Sequence, residues 1–153
     1  MNGTFIINGA KKELSFDSRI TLLQLLRANG YPEVKEGCDE GQCGSCVVLL
    51  DSALVNSCQV FAATAVEKEI TTVKGIGTIH KPHPIQEALV ETGAVQCGFC
   101  TPGMVLAAFA LIKEKPNPTE EEIKIALDGN LCRCTGYVKI IDGVKLAAER
   151  MAK

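Results

Sequence analysis

The sequence has no tryptophan, and its aromatic share is only 5%. A core built on large rings is therefore excluded, and apolar burial must rest mostly on Ala, Val, Ile and Leu. Charge of one sign is also scarce: 16 Lys and Arg stand against 18 Asp and Glu, intermixed, for a formal net charge of −2. That balance has no electrostatic footprint for nucleic acid. The longest apolar run, around residues 104–112, falls well short of the ~20 residues a membrane-spanning helix needs. Residues 1–8 carry no basic segment followed by an apolar stretch, so no secretory leader is expected. The chain reads as soluble and cytoplasmic. Histidine is limited to His80 and His83, which read as loop residues. No Ser-His-Asp or Cys-His arrangement is suggested. Gly75-x-Gly77 lacks the third glycine and the following helix of a phosphate loop. Glu120-Glu121-Glu122 reads as a favourable, solvated first helical turn, not as an acid–base pair.

What remains is cysteine. Eight are present, in two sets of four. The first is Cys38-x4-Cys43-x2-Cys46, followed by Cys58; the second is Cys97-x2-Cys100, completed by Cys132-x-Cys134. In a secreted chain eight thiols would suggest four disulfides. In a reducing compartment, clustered Cys-x2-Cys motifs hold metal or do redox work. The first spacing is that of plant-type ferredoxins, in which four thiolates hold a 2Fe-2S cluster. Gly37, Gly41 and Gly44 punctuate this loop and let the backbone approach a cluster closely. Zinc sites are more often two Cys-x2-Cys knuckles, a poorer fit here. Spacing alone leaves the second set open to a 2Fe-2S cluster, to zinc, or to a thioredoxin-type dithiol at Cys97-Gly98-Phe99-Cys100. Arg133 places a positive charge beside these ligands. Because both sets are complete in cysteine, a Rieske role for the histidines is not needed.

The two halves differ in periodicity. Residues 4–8 and 14–16 are short β-prone runs joined through Asn8-Gly9 and Lys11-Lys12-Glu13, which predicts a hairpin. Thr21 caps a short helix bearing Leu22, Leu23, Leu25 and Leu26. The cysteine loop leads to a strand over residues 46–50, a turn at Asp51-Ser52, and another strand over 70–73. In the second half, Pro84 opens a helix with Ile85, Leu89 and Val90, ending near Gly93. Thr101-Pro102 opens another, with Met104, Val105, Ala108, Leu111 and Ile112 on its apolar side. Thr119-x-x-Glu122 is a capping-box match, and Gly129 a C-terminal stop. A last helix spans residues 137–151, its face predicted as Ile141, Val144, Ala148 and Met151. The fold class expected is α+β: an N-terminal β-grasp ferredoxin-like domain over residues 1–75, then a C-terminal four-helix-bundle domain over residues 76–153.

Longer motifs sharpen this. The segment from Glu36 to Cys46, EGCDEGQCGSC, resembles the first cluster loop of the molybdenum hydroxylases, the family of xanthine dehydrogenase, aldehyde oxidase and CO dehydrogenase. GAVQCGFCTPGM (residues 93–104) and GNLCRCTGY (residues 129–137) resemble its second cluster motifs. The resemblance runs the length of the chain, in order. It implies a small iron–sulfur subunit with two 2Fe-2S clusters, one on Cys38, Cys43, Cys46 and Cys58, the other on Cys97, Cys100, Cys132 and Cys134. It further implies a large partner subunit carrying molybdenum on a pterin cofactor, and a medium one carrying FAD. Electrons would run from molybdenum through the helical-domain cluster, then the ferredoxin-domain cluster, to FAD. Gln96 and Cys134 match positions close to the pterin. One departure is visible: Asp51-Ser52-Ala53 stands where the family often has a glycine.

The function expected is thus electron transfer within a complex that oxidatively hydroxylates an N-heterocycle, such as xanthine, or an aldehyde. No substrate site is expected on this chain. A free ferredoxin-like shuttle and a zinc-stabilised interaction module are the competing readings.

Overall fold

The computed structural model describes residues 1–152; Lys153, the end of the expected second domain, lies outside the described residues. The chain opens on a hairpin of β1 (Asn2–Ile7) and β2 (Ala10–Ser15), paired antiparallel from Asn2 opposite Ser15 to Ile7 opposite Ala10. The connection is tighter than the sequence suggests. Asn8 and Gly9 alone make the turn, both at positive φ, as a two-residue hairpin requires. Lys11, Lys12 and Glu13 therefore lie inside the exposed edge strand β2, where charge discourages further strand pairing.

Helix α1 (Leu22–Ala28) begins at the expected cap: the Thr21 hydroxyl accepts the Gln24 N–H, and the Gln24 side chain accepts the Thr21 N–H in return. Its four leucines are buried against Phe5, Ile7 and Ile70. Strand β3 (Val47–Leu50) turns through Asp51-Ser52 into β4 (Ala53–Asn56), a strand the periodicity does not reveal. Strand β5 (Glu69–Thr71) then enters the centre, parallel to β1 and antiparallel to β3, giving the sheet order β2-β1-β5-β3-β4. It stops earlier than expected. The Thr72 N–H donates to Asn8 Oδ1 and the Thr72 hydroxyl to the buried Glu33 carboxylate, and Val73 already begins the short α2 (Val73–Ile76).

Four longer helices follow: α3 (Pro84–Glu91), α4 (Thr101–Glu114), α5 (Glu120–Leu127) and α6 (Val138–Met151). The Thr119–Glu122 capping box forms as the sequence predicts. His83 is more than a loop residue: its Nδ1 accepts the Ile85 N–H and caps α3. The buried side of α6 is rotated from the predicted one. Ile140, Gly143, Val144, Ala147 and Ala148 face inward, while Met151 is exposed. Small residues decide this, because a Cβ on Gly143 would stand 2.8 Å from a Leu89 methyl; α3 and α6 approach too closely for larger side chains.

The β and helical parts each have a core, and a third small cluster joins them. Leu106 of α4 packs against Val47 and Leu49 of β3, with Ile76 and Phe109 alongside. That contact brings the N-terminus of α4 up to the glycine-rich cysteine loop.

Candidate metal centres

Each cysteine set is delivered by irregular backbone braced on regular elements. Cys38 and Cys43 sit on the loop after α1, Cys46 at the entrance to β3, and Cys58 on a single 3-10 turn just after β4. Within each set the sulfurs neighbour one another. Cys38 lies beside Cys43, and Cys46 beside Cys58. In the second set the Cys97 and Cys134 sulfurs are 3.5 Å apart, and Cys100 lies beside Cys132. All eight are free thiols. Among the described residues, no three His, Cys, Asp or Glu converge on a position for one metal ion.

Backbone amides aim at the first set. The N–H groups of Glu40, Gln42 and Cys43 all point at the Cys38 sulfur from 3.4 Å. Led by the Glu40 N–H, they draw its thiol down to about 7, against partial burial. Burial pushes Cys46 up to about 11. The second set shows the same contrast. The Phe99 N–H lowers Cys97, whereas burial drives Cys100 up to about 12. At Cys132, burial is outweighed by hydrogen bonds from Thr135 and from the Cys134 N–H, and the thiol is lowered. Cys134 is raised by its neighbour Cys97. In both sets, then, some thiols ionise more readily than usual and others less, and every one must lose its proton to ligate a cation.

The glycines explain the tightness. A Cβ on Gly37 would stand 2.8 Å from the Cys43 sulfur. Gly44 is left-handed at φ 69°, and a Cβ there would overlap the Gly129 carbonyl oxygen. This second crowding reflects how the two cysteine loops meet. Leu131 N–H donates to Cys43 O at 2.9 Å, and the buried Asn130 amide donates to Gly44 O at 3.0 Å. The residue before Cys132 is thus hydrogen-bonded directly to Cys43.

Residues that the sequence does not single out complete the sites. Tyr137 is left-handed at φ 66°, and its hydroxyl receives the Cys132 N–H at 2.9 Å and donates to Cys132 O at 3.3 Å. A bulky residue in that conformation is strained, and the double hydrogen bond holds it. Asn56 Nδ2 donates to Gly41 O, and Gln59 reaches Cys58. Only their closeness in sequence to cysteines could have pointed to them. Gln96, Phe99, Leu131, Arg133 and Cys134 are exposed at one end of the helical part.

Two domain families account for the chain. Residues 5–71 match the 2Fe-2S iron-sulfur cluster binding domain, and residues 72–145 match a second family, the 2Fe-2S binding domain. The nicotinate dehydrogenase small FeS subunit of Eubacterium barkeri is 47% identical over 147 residues, covering 95% of this chain and 94% of its own. The chain belongs to the iron–sulfur electron-transfer subunits of the molybdenum hydroxylase family. The structure of quinoline 2-oxidoreductase from Pseudomonas putida 86 superposes on this subunit with a TM-score of 0.95 at 37% identity, covering 99% of this chain and 96% of that one. Xanthine dehydrogenase of Emericella nidulans is 42% identical over 152 residues, yet the subunit spans only 11% of its length. The subunit thus has two 2Fe-2S binding domains and is part of an oxidoreductase, with one cysteine set in each matched region. Its α+β fold is as the sequence predicts. No helix among the described residues is long and apolar enough to cross a membrane.

Proposed function

We propose that this subunit relays electrons between a molybdenum–pterin centre on a large partner subunit and FAD on a medium one. Cys38, Cys43, Cys46 and Cys58 would hold the first cluster, and Cys97, Cys100, Cys132 and Cys134 the second. The observation that carries this is a set of four neighbouring cysteine sulfurs in each of the two matched 2Fe-2S domains. A 2Fe-2S cluster takes two protein ligands on each iron, whereas a zinc site draws four ligands to one ion. When bound, such clusters accept and pass on single electrons.

The chain's own part is to place the two sites and shape their surroundings. The hydrogen bond from Leu131 N–H to Cys43 O offers a short bonded path from one set to the other. Backbone N–H groups around Cys38 favour negative charge on its sulfur. Gln96 and Cys134 would face the pterin. Their shared exposure supports this, as do the exposed apolar side chains of Phe99 and Leu131 beside them. Apolar contact of that kind also favours a bound subunit over a free shuttle. The nicotinate and quinoline in the names of two relatives matched over nearly their full length support an N-heterocycle, in preference to an aldehyde, as the substrate of the complex. A division into domains 1–75 and 76–153 falls within α2, a few residues after the two family matches change over at 71/72. Cysteines clustered as metal ligands support a reducing, cytoplasmic setting.

The test is electron paramagnetic resonance of the chain reduced anaerobically with dithionite. Two distinct 2Fe-2S signals are expected. A colourless protein that holds zinc and gives no signal would overturn the relay.

A further inference from the structure

We propose that Gln59 raises the reduction potential of the first cluster by donating a side-chain N–H to the Cys58 sulfur. This rests on the electron-transfer reading above. Gln59 Nε2 lies 3.4 Å from Cys58 Sγ, 3.2 Å from Cys58 O and 3.4 Å from Asp39 O. The amide thus spans the mouth of the cysteine loop, between the residue after Cys38 and the Cys58 sulfur.

Although Gln59 is exposed, its position is set by packing. Gly41 is left-handed at φ 78°, and a Cβ there would stand 2.7 Å from Gln59 Cγ and 3.2 Å from Cδ. The Gln59 stem occupies that space. Asn56 Nδ2 holds the loop in place through Gly41 O at 2.9 Å. Cys58 itself is only 4% exposed, so water has little access to its sulfur. A fixed amide donor there acts at a sulfur that solvent reaches little.

Reduction adds one electron to a 2Fe-2S cluster and breaks no bond, and the added charge is shared with the thiolate sulfurs. An N–H dipole aimed at one of those sulfurs stabilises the reduced form more than the oxidised form and raises the potential. At Cys38 the three donors are backbone groups, which side-chain substitution leaves in place. At Cys58 the donor is a side chain and can be removed. Gln59 is therefore a positioning residue that acts through Cys58.

The experiment is a redox titration of the full chain with both clusters assembled, followed by electron paramagnetic resonance. The first-cluster signal is identified as the one altered or lost in Cys58→Ser. Gln59→Met keeps the length and apolar cover over Gly41 but has no donor. It is expected to disfavour reduction of the first cluster about tenfold, a fall of roughly 59 mV for a one-electron couple, and to leave the second cluster in place. Gln59→Glu should shift the first cluster further in the same direction, because it adds negative charge beside the sulfur. Equal potentials in the variants and the unaltered chain would overturn the proposal. So would a matching shift of both clusters, which would indicate a general disturbance of the fold. If Gln59→Met fails to assemble its first cluster, Gln59→Leu, also neutral and without a donor, decides by the same comparison. An unaltered chain with no 2Fe-2S signal would overturn both this proposal and the reading on which it rests.

Discussion

Asp51 and Ser52 turn β3 into β4 with both residues left-handed, at φ 48° and 71°. An L-residue in that region costs about 1–2 kcal/mol. Asp51 compensates: its carboxylate accepts the Glu69 N–H and pairs with Lys68, and its own N–H donates to Glu69 O. No hydrogen bond within the turn comparably fixes Ser52. Ser52→Gly is therefore expected to stabilise the chain by about 0.5–1 kcal/mol, after the added flexibility of glycine in the unfolded chain is counted. The check is a higher urea midpoint with an unchanged slope. The turn's location is legible from Asp-Ser between apolar runs, but its strain is not, since backbone angles depend on the register of the strands it joins.

Helix ends were the most readable elements, because a cap is made by residues two or three apart. Thr21 and Thr119 both cap as their spacing predicts. His83 was not readable in this way, since histidine seldom caps and only its geometry reveals the bond to the Ile85 N–H. That bond needs an unprotonated Nδ1. Burial holds the His83 pKa below the usual histidine value, so the folded chain binds this proton less readily than the unfolded one. The cap's contribution is thus complete above about pH 6.5, the unfolded value, and is lost as pH falls through the lower folded value. Stability measured by urea unfolding should decline from pH 7 toward pH 5. In His83→Asn, which keeps a cap without a titrating ring, this part of the decline should flatten. Strand β4 and the buried side of α6 escaped the sequence for another reason. The first is a four-residue edge strand, half of it exposed and without alternation, and the second is chosen by how closely α3 approaches Gly143.

The two halves are keyed together by Leu106, 1% exposed between α4 and β3, and by the bonds from Leu131 and Asn130 to the first cysteine loop. Leu106→Ala should cost about 2–4 kcal/mol and split a shared unfolding transition into two, read by calorimetry; a single transition at an unchanged temperature would refute this. Cysteine spacing, turn residues and caps are legible in the chain because each is a short-range chemical demand: the number of residues between two thiolates limits which metal they can share. How the sets close is not. Cys97 meets Cys134 across 37 residues, and Asn130 reaches Gly44 across 86. The first meeting depends on α3 seating against α6, where the Thr92 hydroxyl donates to Lys139 O. The second depends on the packing of α4 against β3, which brings one cysteine loop onto the other; no local periodicity encodes a contact between surfaces so far apart in sequence.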